Sequence, residues 1–253
     1  DEDESVDAEE LIATRMAHAE ILDRLGQFAE TEEAYSLILE YPTDAVGSAR
    51  IKSKLASVQQ KRGKYQESQA NLVSALEGLG IELAVSQEDV NWDEVLEDLR
   101  DELDSVLQDS EGRDGKRKAE ERETLIAELL TRLWYYHSFY DSGAANEKMY
   151  YLAYRLLSFT ALYADSSELA VAHRCMSITL CQGLQPQYEE AVRHAFRSVD
   201  VARRIDAKMA TGVGYCYIGI VMVWQSRYEE ALGYLEQSRA MLEQIGNPWE
   251  VVN

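Results

Sequence analysis

YEEAVRHAFRSVDVARRI at 188–205 and YEEALGYLEQSRAMLEQI at 228–245 decide the fold. They align without a gap at an offset of 40 residues. Tyr188, Glu189, Glu190, Ala191, Ser198 and Ile205 recur as Tyr228, Glu229, Glu230, Ala231, Ser238 and Ile245. A fixed internal period of this length marks a repeat architecture. Apolar residues fall at helical spacing in both stretches. Each follows another apolar-periodic segment across a short turn, so the unit reads helix, turn, helix.

Two earlier segments have the same form, LGQFAETEEAYSLIL at 25–39 and RGKYQESQANLVSAL at 62–76, with Phe28 and Tyr65 37 residues apart. Gly26 and Gly63 can take a positive φ and so end the first helix of each pair. The aromatic after the turn is expected to wedge between the two helices. The small residue three positions later (Thr31, Ser68, Ala191 or Ala231) lets them approach closely. A two-helix unit cannot bury its apolar face alone, so neighbours must stack.

These segments resemble tetratricopeptide repeats. Units nearer 40 residues than the ~34 of the common repeat, ending in Ile-Gly-Asn-Pro-Trp at 245–249, are similar to longer variants. Such variants occur in the helical arms of large bacterial signalling proteins that join an NTPase module to a cyclase, kinase or DNA-binding domain. The maltose-operon activator is one relative of that kind. The resemblance covers residues 11–80 and 122–253. It implies an all-α, right-handed TPR-like α-solenoid of about five helix pairs, at 11–42, 43–80, 122–165, 166–205 and 206–246. It also implies a protein-interaction and regulatory scaffold rather than an enzyme.

Unit three departs from the pattern. Its helices read TLIAELLTRLWYYHSFYDSG (124–143) and EKMYYLAYRLLSFTALYAD (147–165), with Gly143 as the turn glycine and Met149 or Tyr150 where a small residue belongs. An insert spans 81–121. Its Val95, Leu96, Leu99, Leu103, Val106 and Leu107 make a helical stripe with acids on the other face. After it, QDSEGRDGKRKAEER reads as a loop. At the far end, Asn247 and Pro248 read as a cap and first residue of a further helix over 247–253. With Asp1 in place of a Met, this reads as a segment of a longer array.

Of 253 residues, 46 are acidic and 25 basic, for a net charge of −21. Residues 1–10 contribute −7 as an acidic tail and residues 82–110 contribute −10, so the body is close to neutral. Runs of like charge are solvated and self-repelling. Duplex DNA binding is disfavoured without a basic footprint. The one basic run, RDGKRK at 113–118, is short and contains an acid. Three cysteines without framework spacing fit a reducing, cytoplasmic setting. The uncharged stretch 209–226 has too short an apolar part for a bilayer span and reads as a buried helix.

No catalytic constellation is legible. His18, His137, His173 and His194 are scattered among different helices, and no zinc spacing, Walker loop or nucleophile elbow occurs. Gly212, Gly214 and Gly219 do not match a dinucleotide fingerprint; they read as points of close helix approach. Cys175, Cys181 and Cys216 read as inert packed thiols. No cofactor and no metal are expected. The glutamate pairs that open the helices point in different directions and favour the helix dipole.

In the repeat family the first helix of each unit lines the concave face. That places Arg50, Ser53, Lys54, Ser57 and Lys61 on a basic half of a groove. His173, Met176, Leu180, Leu184, Val213, Cys216, Ile220 and Trp224 fall on an apolar half. Such a groove suits a protein segment, or a fused domain in cis, with an acidic and an apolar end. The competing reading for the apolar half is burial under neighbouring packing. A small-molecule sensor arm is the alternative function. The acidic insert folding back onto the basic half is a further expectation. Neither nucleic acid nor membrane is an expected partner, and the sequence sets no oligomeric state.

Overall fold

The computed structural model describes residues 2–87, 89–110, 116–140, 145–183 and 186–246. The regular structure among them is helical: α1 (Glu2–Arg24), α2 (Phe28–Ile38), α3 (Ala45–Lys61), α4 (Tyr65–Gly78), α5 (Trp92–Ser110), α6 (Glu121–Phe139), α7 (Ala145–Ala161), α8 (Ser167–Gln182), α9 (Tyr188–Arg204), α10 (Lys208–Trp224) and α11 (Tyr228–Gln244), with a 3-10 turn at Ala84–Ser86. The chain divides into two compact units, one of Asp1–Glu88 with Glu121–Tyr136 and one of Asp89–Glu120 with His137–Asn253. Consecutive helices pack on one another within each unit, α1 through α4 in the first and α7 through α11 in the second. This is the all-α helix-hairpin architecture of a TPR-like solenoid.

Five chain reversals close in the same way. After α1, the Gln27 N–H donates to the Leu22 carbonyl and the Gly26 N–H to that of Asp23, both at 3.0 Å. The pattern recurs at Lys64/Gln59, Ile81/Leu76, Ala207/Ala202 and Arg227/Met222, each at 2.8–2.9 Å. This Schellman closure requires one residue in the left-handed region. Gly26, Gly63 and Gly80 supply it at φ of 74, 73 and 77°. Asp206 (φ 53°) and Ser226 (φ 61°) hold the same position without being glycine. Starts are capped where the sequence allows. Asp44 accepts from the Gly47 N–H at 2.6 Å and Ser166 from the Leu169 N–H at 3.2 Å.

The first unit is centred on Ala19, Tyr35, Ile38, Ile51, Leu55 and Val58. The second has Ala195, Val199, Tyr215, Ile218, Met222 and Ala231, flanked by Val192, Phe196 and Tyr234. Thr31, Ser68, Ala191 and Ala231 are all buried, as the motif demands. Of the aromatics expected as wedges, Phe28 is half-buried and packs against the first core, but the three tyrosines do not follow it. Tyr65, Tyr188 and Tyr228 lie on the surface, with Tyr228 64% exposed. All four stand at the first helical position, and the small residue three positions on is the one that is fully buried.

Helix α10 tests the glycine reading directly. A Cβ at Gly214 would lie 2.7 Å from Val199 of α9, and one at Gly219 2.7 Å from Leu235 of α11. One at Gly212 would meet Leu242 at 2.9 Å. These glycines are there so that three helices can touch.

The insert contributes helix α5. Within the second unit it packs on α7, with the Trp92 ring edge-on to Tyr151 at 5.8 Å and Leu99 and Leu103 buried. From the basic run, Lys116 donates to the Ala161 carbonyl and Arg117 stacks 4.9 Å over Tyr163. Two cations therefore hold the C-terminal end of α7, where the helix dipole favours positive charge. Residues 2–10, expected as a tail, have helical backbone within α1. Gly143, Leu184, residues 111–115 and the helix start at 247–253 lie outside the described residues.

Candidate functional site

The predicted groove residues divide between the units. In the first, Arg50, Lys54 and Lys61 lie along α3 on a common side, and every one already has a carboxylate. Lys54 bonds Glu20 at 2.6 Å and Lys61 bonds Asp23 at 2.7 Å, while Arg50 pairs with Glu121. The Lys54 ammonium holds the Glu20 carboxyl below the usual carboxylate range. Burial, helped by Glu20 and Asp23, pushes the Tyr35 hydroxyl up to about 12. Ser53 is buried and Ser57 lines a cavity of about 300 Å³ with Lys54, Glu20 and Arg132. The wall expected to be basic is therefore an ion-paired surface close to neutral. Glu121, the last residue of the expected insert, opens α6; the other two carboxylates come from α1.

In the second unit, His173, Met176, Leu180 and Val213 are buried. Cys216 and Ile220 are half-buried, and Trp224 is 38% exposed. The last three recur every four residues, so they form one accessible stripe on α10. Cys175 and Cys181 are buried, and burial pushes both thiols up to about 12, which leaves them unreactive at neutral pH.

Two of the four histidines meet in space. His173 Nδ1 lies 3.0 Å from His194 Nδ1, with both rings about 95% buried between α8 and α9. One nitrogen donates and the other accepts, so one neutral ring must carry its proton on Nδ1. Burial and the Arg197 and Arg193 guanidiniums push His194 down to about 4; burial, His194 and the same Arg197 lower His173 well below its usual value. The pairing follows from the hairpin register. The Gln187 N–H donates to the Leu180 carbonyl at 2.9 Å. His173 stands seven residues before Leu180 and His194 seven after Gln187, two helical turns in each direction. The sequence therefore contained the signal.

Beside this pair, α5, α7, α8 and α9 line a cleft of about 460 Å³. Met176 and Leu180 form its floor, Leu103 and Leu107 its α5 side, and Arg193, His194 and Arg197 its α9 side. Arg100 reaches across from α5 and donates to the Tyr154 hydroxyl at 3.5 Å. Among the described residues no group of three His, Cys, Asp or Glu side chains is arranged to hold a metal. No helix among them is long and apolar enough to cross a membrane.

No family model and no curated protein matches this chain. Among solved structures it is similar to the crystal structure of BtubC (BKLC) from P. vanneervenii, with a TM-score of 0.58 and 10% sequence identity. The match covers 96% of this chain and 84% of that one. At this identity the two proteins share a fold, and the fold is the TPR-like array of helix hairpins described above.

Proposed function

We propose that this chain is a protein-interaction scaffold that binds a partner segment, or a domain of its own polypeptide, along the first helices of its hairpins. The observation that carries the reading is the α10 stripe of Cys216, Ile220 and Trp224, accessible on a helix-hairpin fold. Large aromatic anchors of this kind dominate interface energies. Arg50, Lys54 and Lys61 of α3 are the polar contacts; a partner carboxylate must compete with Glu121, Glu20 and Asp23 for them. His173, Met176 and Leu180 act from below, by fixing how α8 sits. Affinity capture followed by cross-linking tests this: Trp224→Ala and Ile220→Ser should weaken a specific partner at least about tenfold, equivalent to ~1.4 kcal/mol. Retention of every partner by both variants would remove the groove.

The finer context follows from the resemblance of the 40-residue repeats to signalling arms: a regulatory arm of a larger cytosolic signalling protein. Immunodetection of the native polypeptide reads this directly. A band near 28.7 kDa would refute the arm. A second reading, a small-molecule sensor arm, is favoured by the open cleft beside α5. A metabolite that raises the melting temperature in proportion to its concentration supports it.

A further inference from the structure

The cleft between α5 and α9 combines features that serve packing poorly and a ligand well. Its volume of about 460 Å³ lies within the ~300–1,000 Å³ of small-molecule sites. Its back wall is apolar and closely packed, with Met176, Leu180 and Leu103 each at most 5% exposed, and the half-buried Leu107 gives its accessible apolar edge. Beside this wall stand three guanidiniums, Arg100, Arg193 and Arg197, against two carboxylates, Asp104 and Glu190. Glu190 already lies 3.9 Å from Arg193, and Arg100 feels both Asp104 and Glu190. Arg197 has no ion-pair partner among the described residues. An arginine stays charged at any physiological pH. So the site presents an exposed positive charge without an ion pair beside an apolar wall, in a chain whose net charge is −21.

We propose that this cleft binds an amphiphilic anion, a compact apolar body bearing one carboxylate or phosphate group. The inference rests on the sensor reading and names its ligand class. The apolar body lies against Leu107, with the packed Met176, Leu180 and Leu103 behind it. The head group faces Arg197 and Arg193, one helical turn apart on α9, which present a fork of N–H donors to carboxylate or phosphate oxygens. A cation would meet three guanidiniums. A neutral apolar molecule would make no use of the exposed Arg193 and Arg197. A polyanion would also face Asp104, Glu190 and the rest of the acidic α5. The bound molecule would bridge α5 to α8 and α9, whereas α5 otherwise packs on α7. Binding would therefore tighten the hold on α5.

The test uses the whole chain and anilinonaphthalene sulfonate, an amphiphilic anion that fluoresces on transfer from water. Saturable emission is expected. Decanoate and decyl phosphate serve as competitors to tell the carboxylate from the phosphate head group, and decyltrimethylammonium is the charge-inverted control. One of the two anions should displace the dye and the cation should not. R193E/R197E should raise the dye's Kd at least about tenfold, and the milder Arg197→Gln about threefold to tenfold, since charge-assisted hydrogen bonds are lost. Both side chains are exposed, so helicity by circular dichroism should match the parent. Amide exchange across residues 92–107 should slow with the competing anion bound. Dye binding that ignores the arginine variants, displacement by the cation as readily as by the anions, or no saturation below about 1 mM would each overturn the proposal. Stabilisation by another metabolite whose effect survives R193E/R197E would remove this site and leave the sensor reading standing.

Discussion

Acidification from pH 7 to pH 5 should weaken the second unit through His173 and His194. An imidazole titrates near 6.5 in an unfolded chain, whereas buried His194, beside Arg197 and Arg193, titrates at about 4. The unfolded state therefore binds the proton more tightly. The stability contributed by this neutral ring is fully present above about pH 6.5 and is lost as the pH falls towards 4. At ~1.4 kcal/mol per pH unit, His194 accounts for about 3 kcal/mol over the full range and about 2 kcal/mol between pH 6.5 and 5. His173 shifts in the same direction and adds to the slope. The depressed carboxylates of Glu20 and Glu32 act in a lower window, because their contribution persists until the pH falls below the ordinary carboxylate range. For a chain of this size a 2 kcal/mol loss lowers the melting temperature by about 4–8 °C. Urea titrations followed by circular dichroism at pH 7 and pH 5 measure the change. The double variant H173F/H194L, which removes both titrating rings, should lose this part of the slope whatever its stability at pH 7. Subtracting its slope also removes any contribution from His137. A parent protein equally stable at pH 7 and 5, or a double variant with the parent's slope, would refute the argument.

Ser226→Gly and Asp206→Gly should each raise stability by up to about 1 kcal/mol, because both residues hold a left-handed conformation that glycine adopts without strain; a drop in melting temperature would contradict this. Gly214→Ala should cost about 1–2 kcal/mol despite better helix propensity, since its Cβ would stand 2.7 Å from the stiff, β-branched Val199; thermal melts of Gly214→Ala alone and with Val199→Ala should show the second change restoring part of the loss. Glu32 accepts from Lys64 at 2.9 Å, from Gln59 at 3.4 Å and from Arg62, with its side chain 13% exposed. Glu32→Gln should therefore destabilise the first unit by about 1–3 kcal/mol, read as a lower urea midpoint at unchanged slope.

Much of the architecture was legible because repetition states the same physics several times. The offset between 188–205 and 228–245 located α9 and α11, and Gly26 and Gly63 marked turns that do take a positive φ. Ser226 and Asp206 perform the same task and were passed over because neither is a glycine, although aspartate is among the residues enriched in the left-handed region. Tyr65, Tyr188 and Tyr228 were misread as wedges while Phe28 does pack on the first core, since the motif shows which residues recur but not which way a first-turn side chain points. The pairing of α7 with α5 was hidden because α6 intervenes in the sequence. The site was less legible. Lys54 and Lys61 read as available charges, since their partners Glu20 and Asp23 are more than thirty residues away. The histidine pair was within reach of register arithmetic across the α8–α9 turn. Arg193 and Arg197 stood in the repeat that decided the fold, one turn apart, but the cleft they border exists only once α5 is placed.

The packing of α5 on α7 also bears on how the chain folds. Most of the helix packing in either unit joins neighbours in sequence, such as α1 with α2, α8 with α9, and α10 with α11. Contacts of that kind close small loops and form early, and arrays built from them can nucleate at any hairpin and grow. The α5–α7 contact must instead wait while all of α6 is made. During synthesis the apolar stripe of α5 is thus without its partner until α7 emerges. The eleven acids of residues 82–110 are well placed for that interval, because like charge keeps such segments on neighbouring chains apart. The acidity of the insert, which contributes little to the finished fold, then serves the chain while it is still incomplete.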